Sequence, residues 1–297
     1  MRLLTFARDG RAHLGVVSDG RVADVSAADP GIVGDIGLLA DGGESGLAAV
    51  KAALTTVSPS DYLELSSLTL LQPVAAPGKI ICIGLNYVDH AKEGGYDVPD
   101  YPALFMRAPT SMVAAGEAIV RPQCSERLDY EAELMVIIGR GGRHISQARA
   151  LDHVFGYTLF NDASIRDYQR KSHQWTPGKN FDGTGAVGPT VLMADELPDG
   201  AKDLRIQSRL NGQIMQDANT SDMIFPVALT IEILSEYTTL EPGDMIAMGT
   251  PPGVGHARKP PVWMKDGDVV EIEIDKLGIL SNPIVDENLM TAGVAAE

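Results

Sequence analysis

Two glutamates, Glu131 and Glu133, stand one residue apart at the start of the apolar run DYEAELMVIIG, residues 129–139. In an extended chain the side chains alternate between faces, so these two would point the same way, about 7 Å apart along the strand. One interpretation is a half-buried strand with an acidic solvent face, because glutamate is seldom buried without a partner. The other is a pair of carboxylates aimed at one cation. The rest of the chain has to separate the two.

Further polar residues follow where strands end and loops begin, which are common places for functional groups. Asp162 ends the predicted strand FGYTLFND, and Arg166 and Gln169 would share a face with it if the next segment is helical. Lys179 lies in the Gly- and Pro-bounded stretch WTPGKNFDG, where a lysine has no obvious packing role. Taken singly, each of these residues is better explained by a structural role than by a catalytic one. Three carboxylates without a Cys/His cluster suit a hard divalent ion, Mg²⁺ or Mn²⁺.

The elements that would position these residues are mostly strands. Period-two or compact apolar patterns predict strands at KIICIGL, ALFMRAP, residues 130–139, FGYTLFND, MIAMG and DVVEIEID. Helices are predicted at HISQARALDHV with Ser146 as its N-cap, at SIRDYQRKS with Ser164 as its N-cap, and within SDMIFPVALTIEILSEY. Because strands and helices do not alternate regularly, the fold class is predicted to be mainly β with α, an α+β domain on a mixed sheet.

Residues 1–70 are predicted to form a small N-terminal accessory domain, and residues 71–297 the catalytic domain. The first segment has short strand patterns, an Asp-Gly turn in SDGR and a predicted helix near 45–55, but gathers no catalytic residue types. The second opens with a buried strand and then a polar stretch rich in Gly and Pro, NYVDHAKEGGYDVPDYP. Such a stretch is either a surface loop or a mobile active-site loop, and the part at 91–100 would be able to close over a site.

Composition limits the kinds of partner. The chain has 297 residues, 44% of them hydrophobic, with 24 Lys and Arg against 40 Asp and Glu, a net charge of −16. This charge argues against nucleic-acid binding, which needs a basic footprint. The two cysteines, Cys82 and Cys124, show no zinc or redox spacing, and the N-terminus is too short and charged for a signal peptide. With no membrane-length apolar run, these features predict a soluble cytoplasmic protein without a membrane partner.

Five motifs resemble the fumarylacetoacetate hydrolase family in order and spacing: GKIICIGLNYVDHAKE, LDYEAELMVIIG, NDASIRDYQ, TPGKNFDG and GDMIAMGTPPGVG. They cover roughly residues 72–290. The resemblance is specific as to family and much less so as to substrate. It implies a mixed β-sandwich roll with a small N-terminal domain, and usually a homodimer.

The resemblance implies that Glu131, Glu133 and Asp162 hold one Mg²⁺ or Mn²⁺ ion per subunit. The two glutamates would then share a face because one cation lies in front of both. Longer members of the family add an aspartate ligand seven residues before the catalytic histidine, and Ile83 stands there in this chain. A water or substrate oxygen is expected in its place, which puts the chain with the smaller bacterial, acylpyruvase-like members.

The remaining site residues also follow from the resemblance. His90 and Glu93, in the H-x-x-E stretch, are implied as a water-activating catalytic dyad, and Lys179 as a catalytic lysine that stabilises an oxyanion or delivers a proton. The implied substrate-binding residues are Arg166, Gln169 and Thr250. Of the other histidines only His256 is placed where it could approach a substrate, because it follows the loop TPPGVG, residues 250–255, here called the Gly/Pro loop. Trp175 and Trp263 are expected to pack against other side chains.

The activity implied is metal-dependent hydrolysis of a carbon–carbon bond in a ketonic substance (EC 3.7.1.-). The small-molecule substrate would be an acylpyruvate or 2,4-dioxo acid such as fumarylpyruvate, in aromatic-compound catabolism. Two alternatives stay open. One is a 2-oxo acid decarboxylase or isomerase on the same fold, acting on oxaloacetate or a 2-hydroxyhepta-2,4-diene-1,7-dioate. The other is a non-catalytic binding protein that retains the fold.

Overall fold

The computed structural model describes residues 1–95 and 97–288. In chain order its strands are β1 Arg2–Arg8, β2 Arg11–Ser18, β3 Arg21–Asp24, β4 Leu63–Glu64, β5 Thr69–Leu70, β6 Ile80–Gly84, β7 Ala103–Met106, β8 Met112–Ala114, β9 Ile119–Arg121, β10 Leu128–Asp129, β11 Ala132–Ile138, β12 Val154–Asn161, β13 Ser164–Ile165, β14 Gly185–Met193, β15 Arg205–Leu210, β16 Gln213–Asn219, β17 Met245–Ala247, β18 Val269–Ile274 and β19 Gly278–Asp286.

Among the described residues the α-helices are fewer than the strands, and most of them have only four to six residues. The α-helices are α1 Val25–Ala28, α2 Ile36–Asp41, α3 Gly43–Leu54, α4 Val88–Glu93, α5 Arg166–Gln169, α6 Thr176–Lys179 and α7 Val227–Tyr237. Single 3₁₀ turns or short 3₁₀ helices lie at Pro59–Asp61, Leu65–Ser67, Pro109–Ser111, Gln147–His153, Ala194–Glu196, Asp199–Ala201, Thr220–Asp222 and Gly255–Ala257.

The strands form one large mixed sheet and a smaller sheet packed on it. The large sheet has twelve strands in the order β4-β3-β2-β1-β14-β12-β11-β17-β6-β7, with β5 also paired to β1 and β8 to β14. A five-stranded sheet has the order β16-β15-β18-β19-β9, and β10 pairs with β13 in a two-stranded ribbon. Parallel pairs such as β17–β6 and antiparallel pairs such as β11–β12 both occur. The predicted α+β fold class is confirmed.

Two apolar cores lie on the two faces of the large sheet. Tyr130, Ala132, Leu134 and Val136 belong to the core that the five-stranded sheet and α7 cover. The odd positions further along β11, Met135 and Ile137, belong to a second core, which α1–α3 cover. The central strand is therefore buried on both faces, and the alternative of an acidic face turned to solvent is wrong.

The first seventy residues join the large sheet through β1, whose Arg2 and Leu3 pair with Leu192 and Val191 of β14. Their helices α2 and α3 supply Ile36, Leu39 and Val50 to the second core. Segments on both sides of the predicted boundary between residues 70 and 71 therefore belong to one continuous sheet. The division into two domains stays a prediction. The last residues of the predicted catalytic domain, 289–297, lie outside the described residues.

Three local predictions are corrected. HISQARALDHV is a 3₁₀ helix, Gln147–His153, and Ser146 precedes it without a side-chain capping hydrogen bond. Ser164 does not cap the next helix because it lies in β13, paired with Asp129. The N-cap of α5 is Ile165. The polar stretch after β6 begins with the helix α4.

Among the described residues, no helix is long and apolar enough to cross a membrane.

Candidate active site

Four strands end at the same side of the large sheet and leave a cleft there. Glu131 precedes β11 and Asp162 follows β12, and the two meet because the antiparallel pair closes with Ala132 opposite Asn161. The backbone N–H of Asp162 donates to the Glu131 carbonyl over 3.0 Å. The ends of β6 and β17 complete this side, since β17 runs parallel to β6 and antiparallel to β11.

Eight of the nine predicted site residues line this one cleft: His90, Glu131, Glu133, Asp162, Arg166, Gln169, Lys179 and Thr250. The ninth, Glu93, lies one helical turn from His90 on α4. Ile83, at the position where longer family members carry an aspartate, also faces the cleft. Residues far apart in sequence are thus brought into one small volume.

The centre of the cleft is a cluster of three buried carboxylates. One oxygen from each of Glu131, Glu133 and Asp162 lies within 4.8 Å of the other two. Their exposures are 4%, 2% and 0%, so the acidic pair in the sequence is not on a solvent face. Carboxylates brought this close in a dry site need cations to compensate them.

Two cations of the cleft contact these carboxylates directly. Lys179 Nζ donates to Glu131 Oε2 at 2.5 Å and to Asp162 Oδ2 at 2.6 Å. Arg166 Nη2 lies 2.7 Å from Glu131 Oε1, and Arg166 Nη1 donates to Gln169 Oε1 at 2.9 Å. Glu133 differs from its neighbours: its Oε2 accepts from the backbone N–H of Gly249 at 2.9 Å.

The environments of the two glutamates move their pKa values in opposite directions. Burial alone would raise the pKa of Glu131, but Arg166 and Lys179 outweigh it and lower that pKa below its usual range. Burial, together with the negative charges of Asp162 and Glu131, raises the pKa of Glu133 well above its usual range. The pair therefore combines one carboxylate that stays ionised with one that holds a proton readily.

Arg107 is a buried arginine behind the cluster and was not among the predicted site residues. Arg107 Nη1 donates to Asp162 Oδ1 at 2.5 Å, and Arg107 Nη2 donates to Thr184 Oγ1 at 2.8 Å. Arg107 is 2% exposed. The stretch ALFMRAP does show a charged residue after an apolar strand, but Asp162, the partner of Arg107, is 55 positions away in the sequence.

Asp129, in the stretch that holds the acidic pair, was also missed. It is fully buried and accepts from Arg166 Nε at 2.8 Å, from the Gly255 N–H at 2.7 Å and from the His256 N–H at 3.0 Å. Burial would raise its pKa, but Arg166 and His256 lower it. Asp129 thus ties the arginine of the cleft to the Gly/Pro loop, and His256 lines the cleft as a result.

The loop GTPPGVG takes its shape from glycine conformations and from one buried glutamine. Gly249 has φ +85°, and a Cβ there would lie 2.7 Å from the Cβ of Asn86, so a side chain is excluded where the N–H meets Glu133. Gln216 is 1% exposed and its Nε2 donates to Thr250 Oγ1 at 2.8 Å and to the Pro251 carbonyl at 2.7 Å. Thr250 is therefore held at the cleft wall.

The histidine and glutamate of the predicted dyad lie on α4, where spacing of three residues brings them together. His90 Nδ1 is 3.5 Å from Glu93 Oε2, and this nitrogen has no hydrogen-bond partner among residues 1–95 and 97–288. Both carboxylate oxygens of Glu93 accept from the N–H of Gly253 at 3.1 Å. This contact fixes the end of α4 against the Gly/Pro loop.

One wall of the cleft is apolar. Trp175 packs edge-on against Phe105, with ring centroids 5.6 Å apart, and both rings line the cleft. A Cβ on Gly84 would lie 2.2 Å from the Trp175 ring, so the strand end carries glycine where the indole approaches. Trp175 packs as expected and also limits the width of the site.

The donor set fits a divalent metal ion. Three carboxylates converge, all buried, and oxygen donors of this kind suit a hard cation. Glu133 forms no ion pair within the described residues, so a cation in front of the cluster would supply the compensating charge that its carboxylate lacks. Glu131, Glu133 and Asp162 are therefore the residues that would hold the metal.

The segment carrying His90 is expected to be mobile without a ligand and ordered with one. α4 has only six residues and is followed by Gly94 and Gly95, while its Glu93–Gly253 contact is solvent-exposed. We expect slower amide exchange over residues 88–95 when oxalate is added to the Mn²⁺-loaded protein, measured by hydrogen–deuterium exchange with α7 as an internal control. Equal exchange with and without oxalate would contradict a closing role. Tyr96, within the predicted loop 91–100, lies outside the described residues.

Comparisons with known proteins agree on one family. The model of the family described as "Fumarylacetoacetate (FAA) hydrolase C-terminal" matches residues 79–285. A Xenopus laevis relative, the mitochondrial oxaloacetate tautomerase fahd2, is 42% identical over 291 residues, covering 96% of this chain and 90% of that protein. Among solved structures, fumarylacetoacetate hydrolase from Exiguobacterium antarcticum superposes with a TM-score of 0.82 at 35% identity, covering 97% of this chain and 100% of that one. Maleylpyruvate hydrolase from Sphingobium sp. SYK-6, solved with manganese(II) and pyruvate, gives a TM-score of 0.79 at 31% identity, with 96% and 99% covered.

Proposed function

The chain belongs to the fumarylacetoacetate hydrolase family, and from that premise we propose that it is a metal-dependent enzyme that interconverts the keto and enol forms of an oxaloacetate-like 2-oxo acid. The observation that carries the proposal is the cluster of Glu131, Glu133 and Asp162 in the same cleft as His90 and Lys179. The similarity to an oxaloacetate tautomerase over nearly the whole chain supports this activity ahead of hydrolysis. It favours the isomerase alternative that the motifs left open.

The proposed chemistry removes a proton from carbon and adds one to oxygen, a net shift of one proton, and breaks no carbon–carbon bond. A divalent ion held by the three carboxylates would supply Lewis-acid stabilisation of the charge that develops on the 2-oxo oxygen. His90, buried at the cleft wall, takes the proton from the carbon next to the carbonyl. Lys179 provides a proton to the oxygen, and its ammonium is kept charged because Asp162 and Glu131 raise its pKa against the opposing effect of burial.

Other residues hold the substrate and shape the site. Thr250, fixed by Gln216, offers a hydroxyl to the substrate carboxylate, and Arg166 with Gln169 forms the facing polar wall. The Glu93 carboxylate, 3.5 Å from His90 Nδ1, would orient the imidazole by its charge. Trp175 and Phe105 exclude water on the third side. The reverse reaction uses the same groups with the proton moving the other way.

Hydrolysis of an acylpyruvate remains the second candidate, because a maleylpyruvate hydrolase with manganese(II) and pyruvate bound has the same fold at 31% identity. In that reaction His90 would take the proton from water, and Lys179 would protonate the leaving carbon. The complete set of carboxylates, histidine and lysine disfavours a non-catalytic binding protein. The homodimer, the cytoplasmic location and a place in aromatic catabolism stay predictions.

A side-by-side assay separates the two candidates. We expect wild-type protein with Mg²⁺ or Mn²⁺ to accelerate the conversion of enol-oxaloacetate to its keto form far more than it cleaves acetylpyruvate or fumarylpyruvate. The conversion is monitored as the loss of the ultraviolet absorbance of the enol. Pyruvate release from oxaloacetate, assayed in parallel, reports decarboxylation. Faster cleavage of an acylpyruvate than tautomerisation would make the hydrolase assignment correct and the present proposal wrong.

A further inference from the structure

We propose that Arg170, at the mouth of the cleft, binds a second carboxylate of the substrate and so selects 2-oxo dicarboxylic acids over 2-oxo monocarboxylic acids. The inference rests on the proposed function, in which a 2-oxo acid binds at the carboxylate cluster. It adds a specificity determinant that neither the sequence motifs nor the comparisons supply.

The other cations of the cleft are already committed to protein carboxylates. Lys179 donates hydrogen bonds to Glu131 and Asp162, and Arg166 donates to Asp129 through Nε. Arg166 also forms an ion pair with Glu131 through Nη2. Both side chains are almost fully buried. If either cation instead held a second anionic group of the substrate, these buried pairs would be lost.

Arg170 is differently placed. It lines the cleft, its residue is exposed, and its side chain makes no ion pair or hydrogen bond within the described part of the chain. Its backbone is fixed as the C-cap of α5, where its N–H donates to the Tyr168 carbonyl. Asp167 anchors the same helix by accepting from Ser125 Oγ at 2.6 Å. The guanidinium is thus free to move on a fixed base.

The neighbouring cation cannot take this role. Lys171 Nζ lies 3.3 Å from the centroid of the Tyr168 ring, and Lys171 does not line the cleft. Tyr168 in turn packs edge-on against Phe181, with centroids 5.0 Å apart. Of two adjacent, exposed cations, one faces the site and the other is held on an aromatic ring, so the pair provides a matched control.

The charge of the cleft explains why such a cation is needed. Glu131, Glu133 and Asp162 converge at its base, and a substrate with a second carboxylate brings another negative charge into the same volume. A guanidinium matches a carboxylate in a bidentate geometry and stays charged at any working pH. At the mouth, Arg170 is positioned to offset that repulsion for a di-acid, whereas a mono-acid gains nothing from it.

The test compares two stable ligands that differ by one carboxylate, L-malate and L-lactate, by calorimetric titration of Mn²⁺-loaded protein. Wild type is expected to bind malate more tightly than lactate. R170A should weaken malate binding roughly fivefold to tenfold, as expected for one solvent-accessible charged hydrogen bond, and leave lactate binding unchanged. K171A should change neither. Unchanged circular dichroism and melting temperature confirm that the variants fold.

Three results would overturn the inference: equal binding of both ligands by wild type, an equal loss for both ligands in R170A, or the same loss of malate binding in K171A. Failure of the proposed function is a separate outcome. If enol-oxaloacetate is not converted but R170A still loses malate selectively, the di-acid site stands and the assigned reaction does not. If tautomerisation is found but R170A binds malate normally, only the role of Arg170 is wrong.

Discussion

Glu133→Gln is expected to abolish turnover while leaving the protein folded. Glu133 is one of three converging carboxylates, so an amide in its place removes one anionic oxygen donor from the set that would hold a divalent ion. Its loss should not destabilise the fold, because burial and the charges of Asp162 and Glu131 already raise its pKa and favour a neutral group there. The Gly249 N–H retains an oxygen acceptor in the glutamine side chain.

The measurements are activity, Mn²⁺ binding by calorimetry and thermal unfolding of the same sample. Chelator treatment of wild type should likewise abolish activity, and added Mg²⁺ or Mn²⁺ should restore it. Glu131→Gln is the matched comparison: it should lose activity and also about 3 kcal/mol of stability, since Arg166 and Lys179 lose a buried charged partner. Full activity in a metal-stripped sample, or normal Mn²⁺ binding by Glu133→Gln, would contradict the metal assignment.

His90→Ala is expected to lower kcat by about 10²- to 10⁴-fold, the usual contribution of a positioned general base. His90 lines the cleft next to the carboxylate cluster but is not one of its three residues, so the affinity of the protein for Mn²⁺ should be unchanged. Glu93→Gln should have a smaller effect, because the amide oxygen can still accept from Gly253 and keep α4 in place. Steady-state kinetics on enol-oxaloacetate, with Mn²⁺ titration beside it, give both quantities.

His173→Ala serves as the control for a general effect of losing a histidine. His173 is exposed and is not among the residues that line the cleft, so kcat should not change. If His90→Ala retains most of its kcat, the proton must be moved by another group, and Lys179 would be the next residue to substitute. If it loses Mn²⁺ instead, His90 acts on the metal site rather than on the substrate.

The site was predictable where local spacing controls direction. Alternation along a strand placed Glu131 and Glu133 on one face, and a strand end carried Asp162, but the family resemblance was needed to group the three as ligands of one ion. The order of the motifs then predicted a common cleft for residues as distant as His90 and Thr250. The structure brings them together as expected.

What could not be predicted depends on pairings between distant segments. Arg107 reaches Asp162 across 55 positions, and Asp129 meets Gly255 across 126, and no local pattern encodes either contact. The same limit explains the misplaced helix start: Ser164 is a good capping residue, but its backbone is used by the pairing with Asp129 in the ribbon of β10 and β13. Tertiary pairing overrides local capping preference here.

The pairing of β1 with β14 has a consequence for how this protein tolerates truncation. A chain beginning at residue 71 would leave the Val191–Leu192 part of β14 without its neighbour, and would uncover Met135 and Ile137 on the face of β11 that carries Glu133. Unpaired N–H and C=O groups beside exposed apolar side chains are a template for intermolecular strand addition. The first seventy residues therefore act as a built-in shield against aggregation for the sheet that carries the site.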